Sequence, residues 1–251
     1  MKTLIKATIF LSLLFGLSYL APYNVLEKVN DSNLGPSFDH LMGTDKTGRD
    51  LFSLILIGFR GSVIIGVVAA TVALFSAITL GLLLTKIKLV SSFIADIFIL
   101  IPLTLPLLAF GERISTPVVI GLFIGIFSWS PLYGALSKQL EAIEKKQFVI
   151  RVRESGAGNF KVTMFILPLL IPMLCAYFVN LFAIAIVTDS IISFVGGGII
   201  TPNVSWGLLI SNTNFTSDSW HLAFFPILAM TSLTMFCFSI TRKIEKSWTQ
   251  I

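Results

Sequence analysis

Few side chains in this sequence of 251 residues are of the types that carry out acid–base, metal or nucleophilic chemistry. The two histidines, His40 and His221, are too few for a metal cage built by this chain alone. The two cysteines, Cys175 and Cys237, lie in apolar runs and indicate no disulfide framework. Gly-Lys, His-Glu-x-x-His and Gly-x-Ser-x-Gly motifs are absent, so the sequence carries neither a phosphate-binding loop nor the commonest hydrolase sites. We therefore expect no catalytic residue and no metal site.

Three polar residues interrupt or end long apolar runs: Asp96, Asn180 and Asp189. An ionisable group inside a membrane costs several kcal/mol and usually faces a cavity or a partner. Asp189 either lines an outer pathway, or pairs across an interface, or lies in water at the end of its span. Asp96 leaves the same choice open, whereas Asn180 could hold two helices together. All three are candidate pathway or gate residues.

Membrane helices must position these residues, because the composition excludes an ordinary soluble domain. Hydrophobic residues make up 55% and charged residues 12%, and the mean hydropathy is +0.90, whereas soluble domains carry about 25% charged residues. A span needs about 20 mostly apolar residues. Six runs qualify: 3–21, 62–85, 90–110, 117–137, 164–190 and 222–241. No clear small-x-small cleavage site follows the first run, which predicts a retained helix and not a signal peptide.

The apolar run 51–84 is too long for one span. A helix of that length would reach about 50 Å, against a hydrocarbon core of about 30 Å. Gly58-Phe59-Arg60-Gly61 is the natural place for a break. We therefore predict a separate interfacial helix over 50–60. The chain then divides into residues 1–61, with the first transmembrane helix and an extracytoplasmic segment, and a five-helix core over 62–251.

Lysine and arginine predict the orientation. With the N-terminus inside, thirteen of the 18 basic residues fall in cytoplasmic segments and five outside, as the positive-inside tendency requires. Both termini are then cytoplasmic. The net charge of +5 reflects these loops and not nucleic-acid binding. The largest cytoplasmic loop is 138–163, and the last outer segment is 191–221.

The outer segment begins with residues that end a helix. Gly196-Gly197-Gly198 followed by Pro202 cannot continue one. Residues 203–212 predict a short helix that dips back into the outer leaflet, where only protein or water can cover its backbone. This arrangement suits an outer gate. Prolines are expected to kink three spans, at Pro102 and Pro106, at Pro131, and at Pro168 and Pro172.

Two polar segments outside the spans have their own patterns. In the cytoplasmic loop a charged, helix-favouring stretch ends at Ser155-Gly156-Ala157-Gly158, and on spacing alone it is a solvated loop whose charges hold topology. Outside, residues 43–50 read Gly-Thr-Asp-Lys-Thr-Gly-Arg-Asp and are rich in turn formers. Asp50 is placed to cap a helix that begins near Leu51. Asp45, Arg49 and Asp50 could pair among themselves.

Three segments resemble one known family. Phe148-Val149-x-x-x-Arg153-x-x-Gly156-Ala157, followed by Ile166-Leu167-Pro168, resembles the cytoplasmic motif of ABC importer permeases. Gly43-Thr44-Asp45-x-x-Gly48-Arg49-Asp50 is similar to a segment of the dipeptide, oligopeptide and nickel permeases, specifically of the second permease of each pair. Ser193-Phe194-Val195-Gly196-Gly197-Gly198, followed by Pro202 and Ser205-Trp206-Gly207, is similar to two further segments of that family. The matches keep the family's order and cover about residues 38–240.

The resemblance implies an all-α, type I ABC importer permease fold with six transmembrane helices in the bacterial plasma membrane. The implied partners are a second homologous permease in a heterodimer, two ABC ATPases, an extracytoplasmic substrate-binding lipoprotein and membrane lipid, but no nucleic acid. ATP and Mg would be bound by the ATPases, and this chain would hold no cofactor. Small peptides are the implied substrates, with nickel or metal chelates as the alternative. An ion-coupled carrier or a stand-alone membrane enzyme is the alternative of another class.

In this family the cytoplasmic loop forms a coupling helix that docks on a partner ATPase. We expect Phe148, Val149 and Val152 to form its apolar side, and charged side chains to pair at the rim of the partner's groove. The coupling set is Phe148, Val149, Arg151, Val152, Arg153, Glu154, Gly156 and Ala157. Ile150-Arg151-Val152 replaces the family's frequent Glu-Ala-Ala, so docking would depend more on Arg151, Arg153 and the Gly156 turn.

The outer segments have roles in the family as well. The outer motif Gly43, Thr44, Asp45, Gly48, Arg49 and Asp50 would contact the extracytoplasmic binding protein, although turns and caps favour a structural role over direct substrate contact. The remaining gate candidates are Ser193, Phe194, Gly196, Gly198 and Trp206.

Overall fold

The computed structural model describes residues 12–13, 15–83, 88–101, 116–196, 198, 202–213 and 219–248. Within these residues the chain is helical and contains no strand, apart from a single bridge between Thr44 and Asp50. A 3-10 turn, Ser18–Leu20, precedes eight α-helices. They are α1 Leu51–Leu83, α2 Lys88–Leu100, α3 Pro117–Phe127, α4 Ser130–Glu144, α5 Gln147–Glu154, α6 Asn159–Phe194, α7 Trp206–Ser211 and α8 Trp220–Trp248. The expectation of an all-α fold is confirmed.

Four of the predicted spans appear as helices that are long and apolar enough to cross a membrane. Three are single helices, at Leu51–Leu80, Met164–Phe194 and Trp220–Lys246. The fourth is the pair α3 and α4, bent by 46° at Ser128-Trp129. The remaining predicted spans, 3–21 and 90–110, lie largely or partly outside the described residues.

The predicted break at Gly58-Phe59-Arg60-Gly61 is wrong, because α1 runs without interruption for 33 residues. The two glycines allow another part of the chain to approach closely. A Cβ on Gly61 would collide with the Val204 carbonyl oxygen, and one on Gly58 would lie 3.2 Å from the Trp206 ring. The division of the chain at residue 61 therefore falls inside a continuous helix, whose first turns are buried at Leu51 and Leu54.

Small residues bring α1 and α3 together. A Cβ on Gly121 would lie 2.8 Å from Val68 Cβ, and one on Gly125 would lie 2.7 Å from Val72 Cβ. Ala69 of α1 is buried at the same contact. Helices in membranes associate by this kind of close backbone approach, since lipid supplies no hydrophobic force between them. The other long helices pack in turn, α6 against α1 and α8 against α6.

The prolines act differently at their positions. Pro131 lies in the first turn of α4, directly after the bend, where a missing backbone N–H costs little. The predicted kink of the fourth span is thus confirmed. Pro168 and Pro172 are accommodated inside the 36-residue helix α6, whereas Pro102 and Pro106 lie outside the described residues.

Candidate coupling and gating sites

The cytoplasmic loop forms the predicted short helix. α4 ends at Glu144, α5 covers Gln147–Glu154 and α6 begins at Asn159. Gly156 closes α5 with φ +85°, and its N–H donates to the Arg153 carbonyl at 3.1 Å. No atom of the described chain lies within 4 Å of a Cβ built at Gly156. Left-handed backbone, and not crowding within this chain, therefore explains the glycine.

The sides of α5 differ from the expectation. Val149 is 1% exposed and Val152 packs against the hydrophobic core, so both valines face their own chain, and α5 lies against α6. Phe148 and Ile150 are 42% and 41% exposed. The expectation that Phe148, Val149 and Val152 share a docking side is therefore wrong for the two valines. The available apolar side chains are Phe148 and Ile150.

The charged residues of α5 lie at the surface. Arg151, Arg153 and Glu154 are exposed, and Ala157 is partly buried against the core. Arg153 Nη2 lies 3.8 Å from Glu144 Oε1 of α4, with both side chains substantially exposed. Exposed pairs of this kind contribute little to stability, since water and salt screen them. These charges remain available for contacts with a partner.

The outer motif is organised around Asp45. Its Oδ1 accepts hydrogen bonds from the Thr47 N–H at 2.8 Å, the Thr47 hydroxyl at 2.7 Å and the Arg49 N–H at 2.9 Å. Its Oδ2 accepts from Arg49 Nε at 2.7 Å and lies 2.6 Å from Arg49 Nη2. Burial opposes ionisation, but the hydrogen bonds from Arg49 and Thr47 outweigh it and hold the pKa of Asp45 below its ordinary value. Gly48 completes the turn at φ +80°.

Asp50 caps α1, as predicted. Its Oδ2 accepts from the Ser53 N–H at 2.8 Å and from the Ser53 hydroxyl at 2.7 Å. Its Oδ1 lies 3.0 Å from His40 Nδ1, and both side chains are almost fully buried. Asp45 and Arg49 therefore pair with each other, as expected, but the ionisable side chain beside Asp50 is His40. Sequence analysis missed this pair, because nothing in the spacing of ten residues distinguishes it.

The outer motif is also tied to the last helix. His221, in the first turn of α8, is fully buried, and its Nε2 lies 3.4 Å from the Thr44 carbonyl oxygen. A Cβ on Gly43, whose φ is +81°, would lie 2.9 Å from His221 Cδ2 and would collide with the Leu34 carbonyl. We call His40, Gly43, Thr44, Asp45, Gly48, Arg49, Asp50 and His221 the outer clamp. Its carboxylates are engaged within the chain, which supports the structural interpretation of the motif.

The predicted outer gate helix exists as α7, and it covers Asp189. The Asp189 side chain is fully buried near the outer end of α6, so it does not lie in water. The Ser193 hydroxyl donates to its Oδ1 at 3.5 Å, and Oδ2 has no hydrogen-bond partner among the described residues. A Cβ on Gly207 of α7 would lie 2.9 Å from that oxygen. α7 therefore rests directly on the carboxyl group.

Further contacts dock α7 on α1. The Trp206 indole N–H donates to the Ile55 carbonyl at 3.0 Å, and its backbone N–H donates to the Ser62 hydroxyl at 3.1 Å. Ser205 caps α7 by accepting from the Leu208 N–H at 3.3 Å. The other gate candidates are more scattered. Ser193 is buried, Gly196 has φ +94°, a Cβ on Gly198 would collide with Ser193, and Phe194 is exposed.

The two remaining candidates lie apart from this gate. Asn180 is partly buried in the middle of α6. Asp96 is exposed on α2, where it lines a groove between α2 and α4. The structure therefore brings Asp189, Ser193, Gly198 and Trp206 together, but not Asp96 or Asn180.

Comparison with known proteins confirms the family resemblance, although no family model matches the chain. The dipeptide transport system permease protein of Bacillus subtilis is 26% identical over 88% of this chain and 72% of its own length. The glutathione transport system permease protein of Pectobacterium atrosepticum is 27% identical, over 92% and 80%. The oligopeptide transport system permease protein of Escherichia coli K12 is 28% identical, over 80% and 68%.

These matches extend along most of the chain and agree with its all-helical, apolar structure. They set aside the alternative of an ion-coupled carrier or a stand-alone membrane enzyme. They also imply ATPase and substrate-binding partners. The chain is a permease subunit of an ABC importer of the dipeptide and oligopeptide permease family, an integral protein of the bacterial plasma membrane and not an enzyme.

Proposed function

We propose that this chain forms the translocation path for small peptides together with a second homologous permease. Two ABC ATPases would bind ATP and Mg and drive the cycle, and an extracytoplasmic lipoprotein would deliver the peptide. The relatives described above are dipeptide, oligopeptide and glutathione permeases, which favours peptides over nickel or metal chelates.

The observation that carries this proposal is α5. It is a separate eight-residue helix, held to its own chain by Val149 and Val152 while Phe148 and Ile150 remain exposed. Exposed apolar side chains beside charged ones suit a docking contact with an apolar centre and a polar rim. We assign Phe148 and Ile150 as the apolar contacts with an ATPase, and Arg151, Arg153 and Glu154 as the rim.

The arrangement offers a direct mechanical route across the membrane. α5 packs against α6, and α6 continues from Asn159 to Phe194, where Asp189 supports α7. At 1.5 Å per residue the distance from Asn159 to Asp189 is about 45 Å. A displacement of α5 by the ATPases would therefore reach the outer gate through one continuous helix.

Peptide uptake tests the substrate, and a docking variant tests α5. Cells that lack this chain should import labelled dialanine only when the wild-type chain is restored. Phe148→Asp should lower uptake more than tenfold and release the ATPase during purification, while membrane insertion persists. Lys145→Gln, an exposed change just before α5, is the matched control and should behave as wild type. Normal uptake by Phe148→Asp would remove the docking assignment, and nickel uptake without dialanine uptake would replace the substrate.

A further inference from the structure

A polar groove lies between α2 and α4, away from the outer gate. It encloses about 550 Å³, which is within the range of small-molecule binding sites. Ser92, Asp96, Ser130, Gly134, Lys138 and Glu141 line it. α4 runs from the bend at Ser128-Trp129 toward the cytoplasmic loop, so the groove occupies the cytoplasmic half of the chain.

The lining follows helical spacing on both walls. Ser92 and Asp96 are one turn apart on α2, and Ser130, Gly134 and Lys138 repeat at one-turn intervals on α4. Each helix therefore turns a polar stripe toward the groove. A Cβ on Gly134 would meet no atom within 4 Å, so the floor of the groove is open space.

Two polar groups in the groove have no partner among the described residues. Ser130 is 1% exposed, and its hydroxyl makes no hydrogen bond there. Asp96 is exposed in a run of apolar residues and forms neither a hydrogen bond nor an ion pair with the described part of the chain. A buried hydroxyl without a partner and a carboxylate inside a membrane are both costly, unless a ligand or water engages them.

We propose that Asp96 and Ser130 form a subsite for the protonated amino group of the transported peptide on its way to the cytoplasm. An ammonium group has three donors, and a carboxylate with a hydroxyl oxygen supplies acceptors for them. Lys138 lies about 12 Å from Ser130 along α4, toward the cytoplasm, and carries the opposite charge. The two ends of the groove thus match the two ends of a zwitterionic peptide. The assignment rests on the peptide-import function proposed above.

Transport by the whole complex tests the carboxylate. The permeases, ATPases and binding protein are reconstituted in vesicles, and ATP-driven uptake of labelled dialanine is measured. Asp96→Asn should lower uptake at least tenfold, Asp96→Glu should recover at least a third of it, and Ser130→Ala should lower it about threefold. Asp39→Asn, which neutralises an exposed acid of the outer segment, is the control and should match wild type. ATP hydrolysis stimulated by the binding protein, and co-purification of the subunits, should persist in every variant.

A competition experiment tests the ammonium chemistry and bypasses the binding protein. Unlabelled dialanine placed on the cytoplasmic side should inhibit uptake through the wild-type complex, whereas N-acetyl-dialanine should not, and Asp96→Glu should retain this difference. Equal inhibition by both compounds would overturn the proposal, as would wild-type uptake by Asp96→Asn. Loss of the second permease from purified Asp96→Asn complex would also overturn it, by making Asp96 an interface residue. If the wild-type complex imports no dialanine at all, the proposed function itself fails.

Filling the groove gives an independent readout. Gly134 has no positive φ and no atom near its missing side chain, so a larger residue fits without strain inside this chain. Gly134→Phe should block dialanine uptake while binding-protein-stimulated ATP hydrolysis continues, and Gly134→Ala should leave uptake within twofold of wild type. Unimpaired uptake by Gly134→Phe would show that peptide does not pass through this groove.

Discussion

The outer clamp and the coupling helix α5 use charged residues in opposite ways. In the outer clamp, Asp45 and Asp50 are buried and accept five hydrogen-bond contacts or more from their own chain, including those from Arg49 and Ser53. In α5, Arg151 and Glu154 are exposed, and Arg153 makes only a long surface pair. Both segments carry family motifs, but one motif builds a rigid structure and the other leaves its side chains for a partner.

Glycine shows the same contrast. Gly43 and Gly156 both have positive φ. A side chain on Gly43 would collide with backbone and with His221, whereas one on Gly156 would meet nothing in the described chain. Gly43 is therefore required by packing within the subunit, and Gly156 by the path of the backbone and by whatever docks on α5.

The largest expected effect is on transport. Gly156→Asp places a charged side chain in open space beside α5, so the chain should still insert in the membrane while uptake and stimulation of ATP hydrolysis are lost. Membrane fractionation and uptake of labelled dialanine measure the two properties. A variant that transports normally would show that α5 does not dock on the ATPase.

The outer clamp should break first through its cap. Asp50→Ala removes the N-cap of α1 and leaves His40 buried without its carboxylate, which should cost about 3 kcal/mol. Thermal unfolding of the purified chain in detergent measures this loss. Asp39→Ala in the exposed part of the same segment should shift the midpoint hardly at all, and an equal shift for both would contradict the clamp.

The paired glycines sharpen the comparison. Gly43→Ala should destabilise the chain by about 3 kcal/mol, from the backbone conformation together with overpacking, whereas Gly156→Ala should cost about 1 kcal/mol from the conformation alone. The same unfolding experiment compares them. Equal losses would mean that the two turns are under equal constraint.

The pH dependence of the outer clamp follows from Asp45. Its pKa is lowered in the folded chain, so ionised Asp45 stabilises the fold above the unfolded value of about 3.9. This stabilisation is lost as the pH falls through the lower, folded value. The difference in melting temperature between wild type and Asp45→Asn should therefore stay constant from pH 7 to about pH 5 and shrink below about pH 4. A difference that grows on acidification would contradict this assignment.

The smallest expected effect belongs to the surface pair of α5. Arg153→Ala should change stability by less than about 1 kcal/mol, since its ion pair with Glu144 is long and exposed. Titration of the complex with the ATPase should nevertheless show weaker association. A large loss of stability would place Arg153 in the fold and not at the docking surface.

The features that were predictable from sequence are local ones. Apolar runs long enough to span a membrane located the helices, Asp50 announced its cap, and Gly156 announced the end of α5, because each depends on neighbours within a few residues. Contacts between distant residues left no such signal. His221 reaches Thr44 across 177 positions, and no periodicity marks it.

The incorrect predictions have a common physical cause. Gly58 and Gly61 were interpreted as helix breakers, yet in α1 they allow the backbone near Val204 to approach closely. Val149 was assigned to a partner but packs on α6. In both cases a residue type has two uses, and tertiary packing decides between them.

The contact between Thr44 and His221 has a consequence for biogenesis. At about 5–20 residues per second, synthesis of the 177 residues between them takes about 10–35 s. During that interval the outer segment is already translocated while the helix that completes it has not been made. The segment must therefore persist outside the membrane with Thr44 uncovered, so quality control by extracytoplasmic proteases acts most strongly on chains that stall before the last helix.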